Sequence, residues 1–214
     1  MTGAQLKILN TEFLGGIDLD STLFYQLLNM KKNMIEMSRD WVILRSFDSS
    51  ITFTASDTYT STKTLPSRFL RVYSPYDANT NEQTGVYIVD SNSNKLALKP
   101  IAFARRFDYK DVEGYYYLDI KNSKIGRTGS TAGTLHLFFL QGTEDFTTAG
   151  TEEWTFPSFA HPLLAIEVAI ENKGGIDWDR INASQIPYNK STTNEIRGQL
   201  ALWDSRLAQA ELGV

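Results

Sequence analysis

The hydrophobic period changes twice along this chain, and those changes limit the fold more than any single motif. Leu23, Leu27, Met30, Met34, Met37, Trp41 and Leu44 fall at alternating steps of four and three. That spacing draws one apolar stripe along an α-helix, widened by Phe24, Leu28 and Ile35. Core packing is the expected fate of the stripe, its three methionines included, although methionines could also form an adaptable binding face. The helical pattern gives way near Arg39–Trp41, where Val42 and Ile43 open a β-prone run.

From Ile43 to Leu140 the pattern is one of strands and turns. Ile51 to Thr54 alternates, and Phe69–Tyr73 reads as a strand closed by Ser74-Pro75. Asp77–Thr84 is a polar loop. Val86–Val89, Lys95–Lys99 and Ile101–Arg105 follow, split by the Ser91–Asn94 turn and Pro100. Gly114–Ile120 and Thr134–Leu140 are the strongest strand candidates. Short strands with close turn signals predict an antiparallel sandwich or barrel-like unit in place of βαβ units.

Helix is expected at both ends of the chain. Leu6, Leu9, Phe13 and Leu14 predict a helix over 5–14 that stops at Gly15-Gly16, and Asp18 or Asp20 offers the next N-cap. After Pro157, the residues Phe159, Leu163, Leu164, Ile166, Ala169 and Ile170 make another apolar face. It starts at Ser158 or Pro162 and stops at Gly174-Gly175. Ile196, Leu200, Trp203, Leu207 and Ala210 then mark a last helix over 191–211, capped by Ser191, Thr192 or Thr193. The fold class is therefore α+β: a helical bundle built from both chain ends (1–41 and 155–214) with an inserted β-rich domain over 42–154.

Composition removes several function classes. The 214 residues are 42% hydrophobic and 12% aromatic, enough for a core without cross-links, and there is no cysteine for disulfides, thiolate metal sites or nucleophilic catalysis. A net charge of −4 gives no overall basic footprint for nucleic acid. The N-terminus has no apolar signal-peptide core, and no apolar run is long enough to span a membrane.

The two histidines, His136 within a strand and His161 at a helix start, show no metal-ligand spacing, and His161 is expected to be a solvated or capping residue. Gly126–Gly133 superficially resembles a phosphate loop but lacks the Lys-Ser/Thr ending and a following helix. A flexible hairpin tip is the better account, and Arg127 there could touch a partner or DNA. Acid clusters at Asp18/Asp20, Asp108/Asp111/Glu113, Glu144/Asp145, Glu152/Glu153 and Asp177/Asp179 match no calcium loop. Nothing local places two of them face to face for hydrolysis, so they are expected to be solvated loop acids, and only loss of an activity on mutating Asp108 or Asp111 would revive a hydrolase reading. Asn182-Ala-Ser184 and Asn189-Lys-Ser191 match the glycosylation pattern and carry little weight without a secretory signal. No enzyme, cofactor or metal is expected. Tyr115-Tyr116-Tyr117, with Phe103, Phe107, Tyr109, Phe138 and Phe139, suggests core and subunit interface, or alternatively a sugar- or base-stacking platform.

Several motifs recur in a persuasive order. A long helix ends in Arg39-Asp40-Trp41-Val42-Ile43-Leu44-Arg45. A threonine-rich hairpin (Ile51 to Ala55) follows, then Leu65-Pro66-Ser67-Arg68-Phe69-Leu70-Arg71-Val72-Tyr73. The strand Leu135–Leu140 precedes Phe156-Pro157-Ser158-Phe159, which opens a Leu/Ala-rich helix, and Leu202-Trp203-Asp204-Ser205-Arg206-Leu207 lies in the closing helix. In this order, over nearly the whole chain, the sequence resembles the head–tail adaptor proteins of tailed bacteriophages, the group of tail-tubular and neck-ring proteins. Thr64 stands before Leu65-Pro66 where that pattern has Tyr, and Arg68 stands where it has an acid.

The resemblance implies a structural virion protein at the head–tail junction, present in the host cytoplasm during assembly. It would form a homo-oligomeric ring, usually dodecameric, that docks under the portal protein and extends the channel for double-stranded DNA. It would also offer a platform to the next neck or tail protein, whether stopper, nozzle or tail tube. Ring closure needs heterologous contacts, for which Tyr115, Tyr117 and Phe138 are candidates. Trp203, Leu207, Leu212 and Val214 are candidates for portal docking, although Trp203 and Leu207 serve equally well to pack the bundle. A conduit should not grip phosphates, and −4 per subunit fits sliding. The alternative is a glycan-binding tail or baseplate module using the Tyr-rich β domain.

Overall fold

The computed structural model describes residues 1–77, 82–172 and 190–211. The chain is mixed α+β and divides into two compact units, Met1–Leu44 with Gly142–Val214, and Arg45–Gln141. The return from the β unit therefore falls at Gly142, earlier than residue 155. The expected stop at Gly174-Gly175, the acids Asp177 and Asp179, and both glycosylation-like triplets except Lys190 and Ser191 lie outside the described residues.

The first unit contains α1 (Gly3–Phe13), α2 (Ser21–Glu36), α3 (His161–Glu171) and α4 (Lys190–Glu211). A capping box starts α1: the Thr2 hydroxyl accepts from the Gln5 N–H, and the Gln5 side chain accepts from the Thr2 N–H at 2.9 Å. Gly15 then takes a left-handed φ of 67° and ends the helix, with the Gly15 and Gly16 N–H groups donating to the Glu12 and Thr11 carbonyls. Asp20 caps α2 by accepting from the Thr22 and Leu23 N–H groups at 2.9 and 3.1 Å, while Asp18 instead pairs with Lys7 at 3.0 Å. Helix α3 is apolar nearly all round, with Leu163, Leu164, Ala165, Ile166 and Val168 all buried. Its exposed residues are Ile170 and Glu171 at the C-terminal end, and α1, α2 and α4 all pack on it. Asn10 of α1 donates to the Ala165 carbonyl at 2.9 Å, which satisfies a buried amide against that central helix.

The second unit holds two main sheets, neither closed into a barrel. One is built on β11 (Gly133–Gln141), which pairs with β1 (Arg45–Phe53), β3 (Phe69–Val72) and β6 (Val86–Val89); β7 (Lys95–Ala97) pairs in turn with β6. The other runs β2 (Thr62–Thr64), β10 (Lys124–Arg127), β9 (Tyr115–Asp119), β8 (Lys99–Ile101). A two-stranded ribbon, β4 (Tyr76–Asp77) with β5 (Glu82–Gln83), completes the β structure. Alternation along β11 sends Leu135, Leu137 and Phe139 inward, where they join Ile51, Phe53, Val86, Ile88, Leu98, Tyr116 and Ile125 in one core cluster.

One pairing departs from the all-antiparallel expectation, because β8 runs parallel to β9. A parallel pair needs a crossover of about a dozen residues, usually a helix. Here residues 102–114 supply it with only a short 3-10 turn, Phe103–Phe107.

Candidate functional site

Helix α2 is turned one residue from its expected orientation. Phe24, Tyr25, Leu28 and Ile35 face the core, and with them go Lys31, Lys32 and Glu36, all buried. The expected stripe is instead largely outside: Leu23, Met30, Met34 and Met37 are exposed, Met34 and Met37 to 60% and 53%. Core packing of the methionines is thus corrected, and the physical reason lies across the helix.

Asn29, Lys32 and Glu36, themselves spaced by three and four, bind the segment that returns from the β unit. The Asn29 amide donates to the Phe146 carbonyl and accepts from its N–H, both at 2.8 Å. The Lys32 ammonium donates to the Thr143 and Glu144 carbonyls at 3.0 Å and to the Asp145 carboxylate at 2.7 Å. The Glu36 carboxylate accepts from the Thr143 N–H and hydroxyl and, at 2.9 Å, from the Trp154 indole. Irregular backbone with no ladder partner takes its hydrogen bonds from these side chains, so the polar face must point inward. The apolar stripe is left for water or a partner.

Beside Met34 lies a cavity of about 220 Å³ lined by Lys31, Ile35, Ser38, Arg39, Trp41, Glu167, Arg197, Leu200 and Ala201. Its cations are paired: Lys31 with Glu171 at 2.6 Å, Arg39 with Asp204 at 3.1 Å and Arg197 with Glu167 at 2.5 Å. The rim is therefore neutral and the floor apolar, a shape suited to a side-chain knob more than to an ion.

The β unit rearranges the remaining expectations. Arg127 is fully buried, so it does not reach a partner or DNA from a hairpin tip; that expectation is corrected. Its guanidinium donates to the Thr54, Asp57 and Gly129 carbonyls and lies 5.2 Å from the Phe53 ring centre. It ties two loops to the sheet. Nor is the Gly-rich loop free. Ser130 and Thr131 each donate a backbone N–H and a hydroxyl to the Glu113 carboxylate, and Gly129 sits at a φ of 68° to allow the wrap. The loop does cradle an anion, and the anion is the protein's own. Burial works against the charged form of Glu113, but those hydrogen bonds prevail and hold its carboxyl below the usual range.

Of the subunit-interface candidates, Tyr117 is fully buried and donates its hydroxyl to the Tyr59 carbonyl; Tyr116 belongs to the core. Tyr115 is half-buried against Tyr109, with ring centres 4.7 Å apart. The Tyr-rich strand therefore presents no open platform. Phe138 lies half-buried on the face of β11 away from the core, 4.9 Å from Phe47 and 6.2 Å from Tyr87. Trp203 and Leu207 are half-buried, Trp203 with its ring 6.5 Å from Phe156. Leu212 and Val214 lie outside the described residues. Asp204, between the two docking candidates, is buried and accepts from the Val42 N–H at 2.7 Å, which locks α4 to the turn after α2.

His161 is buried rather than solvated, bonded to the Met1 amine and at 2.7 Å to the Phe156 carbonyl oxygen. Burial pushes its imidazole below the ordinary value. Asp108 pairs with Arg105 at 3.5 Å and Asp111 with Lys110 at 3.8 Å, and both carboxylates stand in the open. No helix among the described residues is long and apolar enough to cross a membrane. No family model matches this chain, and no curated protein matches it.

Proposed function

We propose that this chain is a structural virion subunit, a head–tail adaptor that assembles as a ring beneath a portal and is not an enzyme. The observation that carries the assembling part of this reading is the outward apolar stripe of α2. Four large side chains at heptad-like spacing, beside an apolar cavity, form the kind of contiguous exposed patch that marks an interaction surface. The adaptor part rests on the resemblance of the motif order from Arg39 to Leu207 to that family.

In this reading the helical unit acts as a bundle and the two sheets of the β unit as a sandwich around their common core. The α2 stripe and the Phe47–Phe138–Tyr87 patch contribute to heterologous contacts between copies. The half-buried Trp203 and Leu207 belong first to packing, so docking on the portal falls to the exposed parts of α4, where Leu202 stands 63% exposed. The next neck or tail protein and the passing double-stranded DNA complete the set of partners.

Co-sedimentation with the cognate portal ring tests this directly. The chain is expected to travel with the portal in a fixed ring stoichiometry. Its remaining wholly in the unbound fraction at saturating concentration would overturn the reading.

A further inference from the structure

The crossover between β8 and β9 is a surface feature with its own chemistry. The Arg106 guanidinium lies between two phenyl rings, 3.8 Å from the centre of Phe103 and 4.3 Å from that of Phe107. Both rings are exposed, to 39% and 52%, although each keeps one contact inward, Phe103 with Tyr117 and Phe107 with Tyr59. Among the described residues Arg106 donates only to the Phe103 carbonyl, at 2.8 Å, and has no carboxylate within ion-pairing distance. Its neighbours differ. Arg105 reaches Asp108, and Lys110 sits beside Asp111, so local acids neutralise those two and leave Arg106 as the uncompensated cation.

Charge is also segregated along the chain. Residues 45–141 hold 12 Lys and Arg against 9 Asp and Glu, whereas the rest of the chain holds 9 against 16. The overall −4 therefore conceals a basic β unit, and the absence of a basic footprint read from the total does not extend to this half.

We infer that the Phe103–Phe107 turn is a contact site for single-stranded nucleic acid, with Arg106 on a phosphate and a base stacking on the exposed Phe107 ring. Aromatic faces interleaved with cations bind single strands without sequence preference, because every base has a π-face and every nucleotide a phosphate. A duplex hides its base faces and can use only the cation. With one uncompensated cation the site is weak, with a Kd of roughly 1–100 µM at moderate salt. This inference is independent of the adaptor reading and can stand or fall without it.

Fluorescence anisotropy of a labelled oligothymidylate, titrated with the full chain at low salt, tests it. Binding is expected to fall by roughly tenfold or more in Phe107→Ala and in Arg106→Glu. Arg206→Glu, the same charge change on α4, is expected to leave affinity within about twofold, and a duplex of equal length is expected to bind more weakly than the single strand. Phe107 and Arg206 are exposed and Arg106 is half-buried, and unchanged melting temperatures exclude unfolding as the cause. No binding, binding indifferent to both turn substitutions, or equal binding of duplex would overturn the site. Binding of anionic lipid vesicles in place of the oligonucleotide would overturn it as well.

Discussion

Glu36 shows how a single side chain can decide what a helix presents to solvent. Its carboxylate is fully buried and satisfied by Thr143 and Trp154, so removing it strands a backbone N–H, a hydroxyl and an indole N–H together. Glu36→Ala is expected to cost about 2–4 kcal/mol in urea unfolding; a loss under about 0.5 kcal/mol would mean the segment at Thr143 is held by something else. Arg127→Ala should be comparably costly, about 3 kcal/mol, because three loop carbonyls lose their donor and Phe53 loses its cover. Asp57 gives a pH test. The Thr54 N–H and then Lys63 hold its carboxyl down to about 2, below the ordinary 3.8. A depressed folded value means that stability is fully present above the unfolded value and is lost as pH falls through the folded one. Stability should therefore decline between about pH 4 and pH 2, with a shallower decline in Asp57→Asn. Equal acid slopes for the two proteins would contradict the assignment.

Among the elements, α2 is the most instructive. Its existence was legible in the sequence, as were α1, α3, α4 and the strong strands β9 and β11; its cap was narrowed to Asp18 or Asp20, and it ends at Glu36, a few residues before the expected Arg39–Trp41. Its facing was not legible. Two stripes one residue apart, Leu23–Met37 and Phe24–Ile35, both satisfy a helical period, and hydrophobicity favours the wrong one. What decides between them is the bonding of Asn29, Lys32 and Glu36 to residues more than a hundred positions away, a demand that no local window contains. The three-four spacing of those polar residues was the available signal. Arg127 and Glu113 were misread for the same reason: a Gly-rich loop looks open until its long-range partner is known. The outward stripe makes a definite prediction. Met34→Glu should leave the unfolding free energy of the isolated chain nearly unchanged, within about 0.5 kcal/mol, because the side chain is already in water. It should nonetheless block assembly, read as loss of higher-order species in sedimentation velocity. Assembly by the variant equal to that of wild type would remove α2 from the interface.

For the whole molecule, two units with opposite charge balance suggest a division of labour. The acidic helical unit carries the exposed apolar stripe of α2, and the basic β unit carries the aromatic patches. The sequence made the α+β class readable, because helical and strand periods are local. The parallel β8–β9 pairing was not readable, because strand direction depends on where a short crossover leads. The most direct measurement is native mass spectrometry of the purified chain mixed with its cognate portal ring. A complex carrying a full ring of copies, dodecameric on a dodecameric portal, is the expected result. A chain that stays monomeric and leaves the portal mass unchanged would contradict the adaptor function.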